Sequence, residues 1–166
     1  MKRLLRFGIL TISDRSASGE REDLSGPALM EVVVGKGWDV IKKAVIPDDR
    51  NDIKNILIEW VERGDIEIIL TTGGTGFALR DITPEATREI IERPAPGLTE
   101  AMRSASLAVT QHAMLSRAEA GIRGNTLIVN LPGSPKGAVE NLRTILGTLP
   151  HAVGLLNNDD EAESKH

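Results

Sequence analysis

The chain has no cysteine and no tyrosine, and its only aromatic side chains are two phenylalanines and two tryptophans. Without thiols there can be no disulfide, no thiolate zinc site and no cysteine nucleophile. With so few rings, the core must be built from Ile, Leu, Val and Ala, and the platforms on which nucleic-acid bases stack are largely missing. The net charge of −4 also argues against a broad phosphate-backbone interface, so no nucleic-acid partner is expected. His112, His151 and His166 show no metal-ligand spacing. No apolar run is long enough to span a bilayer, and Met1–Gly8 lacks the apolar core of a signal peptide. A cytoplasmic protein without membrane contact is expected. What remains is ordinary in bulk: 166 residues, 40% apolar and 27% charged, enough for one domain with a substantial core. An acidic balance still permits a small phosphorylated ligand, because a local cluster of donors or a metal overrides the overall sign.

The chain is organised around Leu70-Thr71-Thr72-Gly73-Gly74-Thr75-Gly76-Phe77-Ala78-Leu79-Arg80-Asp81-Ile82-Thr83-Pro84-Glu85. A buried apolar run enters a Gly/Thr loop, and Thr83-Pro84-Glu85 starts a helix. Glycines there allow positive φ and close ligand approach. Loop N–H groups and threonine hydroxyls can then face phosphate oxygens. The loop is neither a Walker A motif nor a dinucleotide fingerprint.

Around it, Leu4–Ile12 reads as a buried strand and Ser13–Glu20 as a polar loop at the strand's C-terminal end. A helix follows from Ser25, a candidate cap, to about Val34. Trp38–Ile46 reads as a strand nearer an edge, and Arg50–Arg63 as an amphipathic helix capped by Asp48 or Asp49. Glu67–Thr71 is the central strand. Helices are expected from Thr83 to about Glu92 and from Leu98 to Val109, interrupted at Pro94–Gly97. Met114–Ile122 and Thr126–Leu131 read as a hairpin around Arg123-Gly124-Asn125. Lys136–Leu146 and Pro150–Leu156 close a single domain over residues 1–156. The acidic tail 157–166 is expected to fray. Strands alternating with helices predict an α/β fold with a mostly parallel sheet covered on both faces.

Several residues carry more than one reading. Asp81 either pairs with Arg80, caps the helix near Thr83, or converges with Asp48 and Asp49 on one Mg²⁺, which takes carboxylates, waters and substrate phosphates. Ser13-Asp14 is either a local Asx turn or a contact to a base or ribose. Asn130-Leu131-Pro132-Gly133-Ser134-Pro135-Lys136 is either a structural loop or the source of an amide, a hydroxyl and an ammonium at the same sheet edge. Arg117, beside Ser116, reads as a solvated or ion-paired surface group.

Taken together, these stretches resemble the molybdenum-cofactor biosynthesis proteins that bind molybdopterin. The likeness rests on Thr71–Gly76, Arg80–Thr87, Thr11–Arg15, Ile46-Pro47-Asp48-Asp49, Pro96-Gly97-Leu98, Met114-Leu115-Ser116-Arg117 and Asn130–Lys136. It is similar in particular to the molybdopterin adenylyltransferases, also found as the G domain of gephyrin. The resemblance implies a three-layer α/β/α fold and a homotrimer, with transient partners in molybdopterin synthesis and metal insertion. It implies transfer of AMP from Mg-ATP to the phosphate of molybdopterin, with Mg²⁺ as cofactor and ATP as co-substrate. Asp48 and Asp81 fall on the family's functional aspartates, as catalytic groups and metal ligands. Substrate contacts fall on Thr72, Gly73, Gly74, Thr75, Gly76, Ser116, Asn130, Pro132, Gly133 and Ser134, and on Ser13 and Asp14. Arg80 and Lys136 are expected as cations beside the phosphates. Phe77 stands where some members have proline. A non-catalytic paralogue that only carries or scaffolds molybdopterin is the alternative.

Overall fold

Successive side chains of each central strand point alternately into two helical layers. The computed structural model describes residues 2–164. In β1 (Arg6–Ile12), Phe7 and Ile9 join one core and Leu10 and Ile12 the other. In β3 (Ile68–Thr72), Ile68 and Leu70 face the first core and Ile69 the second. In β6 (Thr126–Leu131), Leu127, Val129 and Leu131 oppose Ile128 in the same way. With β2 (Asp39–Ile46), β4 (Arg93–Pro94) and β5 (Ala120–Arg123), these strands form one sheet in the order β2-β1-β3-β6-β5-β4. The β1, β2, β3 and β6 pairings are parallel, and β5 and β4 add antiparallel edges.

Helices α2 (Ser25–Gly35), α5 (Pro96–Leu107), α6 (Pro135–Ile145) and α7 (Leu149–Leu156) supply Leu29, Val33, Met102, Leu142 and Val153 to the first core. Helices α3 (Arg50–Glu62) and α4 (Thr83–Ile90) supply Ile53, Leu57, Trp60, Ala86 and Ile90 to the second. The expected three-layer α/β/α fold is therefore present. Helix α1 (Asp14–Ala17) is a single turn inside the stretch read as a polar loop.

Gly8 fits the Trp60 indole onto β1, since a Cβ there would lie 2.7 Å from the ring. Gly8→Ala is expected to cost about 1–3 kcal/mol through overpacking, read as a lower urea midpoint. An unchanged midpoint would mean that Trp60 moves aside freely.

Four local readings need correction. Ser25 does not cap α2; the Asp23 carboxylate accepts the Gly26 N–H at 3.1 Å instead. Helix α5 starts at Pro96, whose fixed φ suits a first helical position, rather than after the Pro/Gly interruption. Only Ala120–Arg123 of the expected first hairpin arm is strand; Gln111–Leu115 is a 3₁₀ turn. Between them the carbonyls of Ser116 and Ala118 accept from Arg103 rather than from a neighbouring strand. The tail after Asn157 forms α8 (Asp160–Glu163), capped by Asp159 and seated by Ala162 against Gly154. Lys165 and His166, also placed in that tail, lie outside the described residues.

Candidate functional site

The C-terminal ends of the parallel strands share one edge, and the chain runs from β1 outward to β2 before returning to β3. Such a switch point opens a crevice above the strand ends. Four loops meet there: Ser13-Asp14 after β1, Pro47-Asp48 after β2, Gly73–Ile82 after β3, and Pro132–Ser134 after β6.

The glycine loop is pinned from several sides. Gly73 and Gly74 have φ of 104° and 68°, the left-handed region that favours glycine. A Cβ on Gly73 would strike the Ile12 carbonyl oxygen, and one on Gly74 would strike the Thr83 hydroxyl and come within 3.0 Å of Asp48 Oδ1. The Thr72 hydroxyl donates to the Pro132 carbonyl at 2.6 Å, and the Thr83 hydroxyl to the Gly73 carbonyl at 2.9 Å. Thr71 Oγ1 accepts from Asn130 deep in the sheet. The hydroxyls of Thr71 and Thr72, expected to face phosphate, are therefore struts within the chain. The N–H groups of Gly74, Thr75 and Gly76 make no hydrogen bond among the described residues and remain available to an anion.

Asp49 caps α3 by accepting the Asp52 N–H at 3.0 Å, and α4 has no side-chain cap. Asp48 and Asp81 are thereby both released from capping. Asp48 Oδ2 accepts the Asp14 N–H at 2.9 Å, and Asp14 Oδ1 accepts the Asp48 N–H at 3.0 Å. Asp81 Oδ2 accepts the Ala78 N–H at 3.0 Å. Each of the two carboxylates keeps its other oxygen without a partner among the described residues. Burial pushes the Asp48 carboxyl above the usual carboxylate range; the Asp14 N–H opposes this, and the charges of Asp14 and Asp81 reinforce it. Asp14 shifts the other way, held down chiefly by hydrogen bonds from Arg80 at 2.7 and 2.9 Å.

A raised Asp48 favours folding below its ordinary titration range, and that contribution is lost as pH rises through the folded-state value. Asp48→Asn keeps an acceptor for the Asp14 N–H and removes this penalty. It is therefore expected to raise the thermal midpoint of the ligand-free protein at neutral pH, with the gain shrinking as pH falls through the raised folded-state value and gone below about pH 4. A lower midpoint at neutral pH would contradict the reading of Asp48 as a strained carboxylate.

Two cavities adjoin at this edge. One, of about 540 Å³, is polar and is bounded by Ser13, Ser16, Arg21, Asp23, Asp48 and Gly73. The other, of about 450 Å³, lies under α5 and the 3₁₀ turn, with Met102, Val109, Ala113, Leu115, Ser116 and Pro132 among its walls. Gly74, Asp81, Gly133 and Ser134 belong to both. Gly133 sits tightly on the glycine loop, since its Cβ would lie 3.3 Å from Gly73 Cα. Ser134 also caps α6 through the Gly137 N–H at 3.1 Å.

Not every expected contact reaches a cavity in the same way. Asn130 touches the second one, but its amide is spent on Thr71, Thr87 and the Glu119 N–H, so it is a buried strut. Asp14 holds Arg80 and Asp48 and borders neither cavity. Arg80, expected beside phosphates, is committed to Asp14 and to the Asp48 carbonyl at 3.0 Å. Lys136 lines neither cavity; its exposed ammonium lies 3.9 Å from Glu140, a residue on the wall of the second.

Residues not singled out from sequence are Arg21, which donates to Ser13 Oγ at 3.3 Å, and Asp23, which accepts the Thr11 hydroxyl at 2.9 Å. Asp23 stood three residues before Gly26, the spacing of a local carboxylate turn, and could have been found that way. No three His, Asp or Glu groups gather into a metal cage among the described residues.

An open, mostly parallel sheet with strand-end glycine loops framing two joined cavities is the layout of a ligand-binding α/β domain. The chain belongs to the molybdopterin-binding family: residues 8–151 match the family described as "Probable molybdopterin binding domain". Within the molybdenum-cofactor proteins it is 45% identical over 157 residues to the Drosophila melanogaster "Molybdenum cofactor synthesis protein cinnamon", covering 93% of this chain but 26% of that protein. Thus the chain spans about a quarter of that relative's length. It is 41% identical over 154 residues to a Helicobacter pylori protein named molybdopterin adenylyltransferase, covering 92% and 88% of the two chains. The crystal structure of the molybdopterin biosynthesis enzyme MoaB of Thermus thermophilus superposes with a TM-score of 0.88 at 50% identity, covering 93% of this chain and 98% of that one.

Proposed function

We propose that the chain is a molybdopterin adenylyltransferase. The observation that supports this best is the place of Asp81, on the wall common to both cavities, with Asp48 on the polar side. Transfer between two bound molecules needs the reacting groups to meet in line. A triphosphate in the polar cavity and a pterin in the apolar one bring their phosphates together at Gly74–Asp81. An oxygen of the molybdopterin phosphate then attacks Pα of ATP. The bond from Pα to the bridging oxygen breaks, and pyrophosphate leaves with the electron pair. Adenylyl-molybdopterin remains.

The residues fit Mg²⁺. Asp48 and Asp81 offer hard carboxylate oxygens, and Mg²⁺ is usually held by one or two carboxylates plus waters and substrate phosphates. When bound it supplies charge neutralisation on the triphosphate. The chain's own part is to fix both carboxylates through the Asp14 and Ala78 N–H groups and to aim the Gly74–Gly76 N–H groups at phosphate oxygens. No side-chain nucleophile is needed. The name of the Helicobacter pylori relative supports the same reading. A homotrimer and a cytoplasmic location belong to this proposal, and sedimentation at three chain masses checks the first.

The test is incubation with molybdopterin, labelled ATP and Mg²⁺. The expected result is an adenylylated pterin that requires all three. Tight pterin binding without an ATP-dependent product would instead make the chain a carrier. ATP binding indifferent to molybdopterin would make it an unrelated nucleotide scaffold.

A further inference from the structure

We infer that Arg117, tethered by Glu85, is a positioning residue that holds Asp81 at the junction of the two cavities and Gly76 on the wall of the second. This rests on the adenylyl-transfer reading above. Arg117 ties down the loop at several points. Its backbone N–H donates to the Thr75 carbonyl at 2.9 Å. Nε donates to the Gly76 carbonyl at 2.8 Å and Nη2 to the Asp81 carbonyl at 2.7 Å. Nη1 donates to the Glu85 carboxylate on the first turn of α4.

The loop's other ties are the Ala78–Asp81 turn and Arg80, which is bonded to Asp14 and to the Asp48 carbonyl. Phe77 is 67% exposed and Leu79 fully exposed, so the segment between Gly76 and Asp81 gains almost nothing from apolar packing. The planar guanidinium fork spans two carbonyls and a carboxylate together, which an ammonium cannot do. Glu85 is committed in turn. Its second oxygen is buried without a partner, so Arg117 is the charge that compensates it. Burial alone would weaken the Glu85 acid; the Arg117 hydrogen bond and charge, with its own backbone N–H, more than reverse this and hold it below its ordinary range.

The test compares Arg117→Met, Arg117→Lys, Glu85→Gln and the double variant Arg117→Met/Asp81→Asn. It measures kcat, KM for both substrates and the thermal midpoint. Displacing a reacting group by about 1 Å costs about 100-fold in rate, so Arg117→Met is expected to lose about that in kcat with KM nearly unchanged. Arg117→Lys is expected to lose kcat like Arg117→Met, because the fork positions the loop, while keeping more of the thermal midpoint, because an ammonium still compensates the Glu85 charge. Glu85→Gln keeps an acceptor and is expected to fall between. If Arg117 acts through Asp81, the double variant is no slower than Asp81→Asn alone. Full activity in Arg117→Met, rescue by lysine, or multiplied losses in the double variant would each overturn the inference.

Amide hydrogen exchange decides the point without turnover. In ligand-free Arg117→Met, the hydrogen-bonded amides of Ala78 and Asp81 are expected to exchange at least about tenfold faster while residues 126–131 do not change. Equal exchange in the loop would overturn the inference. If the wild-type protein makes no product, the functional reading fails and the exchange result still tests the brace. If Arg117→Met does not fold, the lysine and Glu85→Gln variants are compared by the same exchange measurement.

Discussion

Asp81→Asn is expected to lower kcat for adenylyl transfer by about 10²–10³-fold, the loss typical of removing one preorganised electrostatic group. The substitution is conservative in every respect but charge. Asparagine has nearly the same shape and keeps an oxygen to accept the Ala78 N–H, so the turn that positions residue 81 survives. What disappears is the negative charge facing both cavities. The thermal midpoint is expected to stay within a few degrees, and pterin binding in the absence of nucleotide to persist. Asp48→Asn is expected to lose activity similarly. Asp49→Asn is the control, since Asp49 caps α3 away from the cavities and asparagine caps about as well. Full activity in both Asp48→Asn and Asp81→Asn would remove these carboxylates from the reaction.

Gly73→Ala carries the second large effect, and here stability and activity fall together. A φ of 104° is strained for alanine, at about 1–3 kcal/mol. Its Cβ would also strike the backbone carbonyl of Ile12 in the central strand β1, adding an overpacking cost of about 1–3 kcal/mol. Backbone cannot swing aside as a side chain can, so the strand end and the glycine loop must part. That movement separates Ser13 and Asp14 from Gly74 and Asp81. The expected result is a clearly lower denaturation midpoint and loss of product formation. Gly97→Ala in α5, where a Cβ meets nothing within 4 Å, is expected to leave both intact. A Gly73→Ala protein of wild-type stability would mean that the loop is freer than its packing against β1 implies.

Much of the fold was legible because its causes are local. Short continuous apolar runs marked β1 and β3, the Arg123-Gly124-Asn125 turn marked β6, and helical spacing of Ile53, Leu57 and Trp60 marked α3. What the residue pattern could not reveal was the partner of each charge. Arg80 and Arg117 each precede or follow a motif residue and look alike in sequence. Arg80, 66 positions from Asp14, is paired with it across the strand ends. Arg117, 36 positions from Asp81, forms the ion pair its type suggested, with Glu85, but also braces the glycine loop. Asn130 faced the right edge, but Thr71 and Thr87 take its amide inside the sheet. Such pairings depend on which strands become neighbours, a property of topology and not of any short stretch. The two aspartates were named through family resemblance. Their freedom from capping duty emerged only when Asp49 was seen to cap α3.

A crystal structure with molybdopterin, Mg²⁺ and a non-hydrolysable ATP analogue bears most directly on the proposed transfer. The expected arrangement has one substrate in each cavity, with the pterin phosphate and the nucleotide α-phosphate meeting beside Gly74 and Asp81 and the metal on Asp48 or Asp81. Both molecules in a single cavity, or phosphates ordered away from the two aspartates, would contradict it.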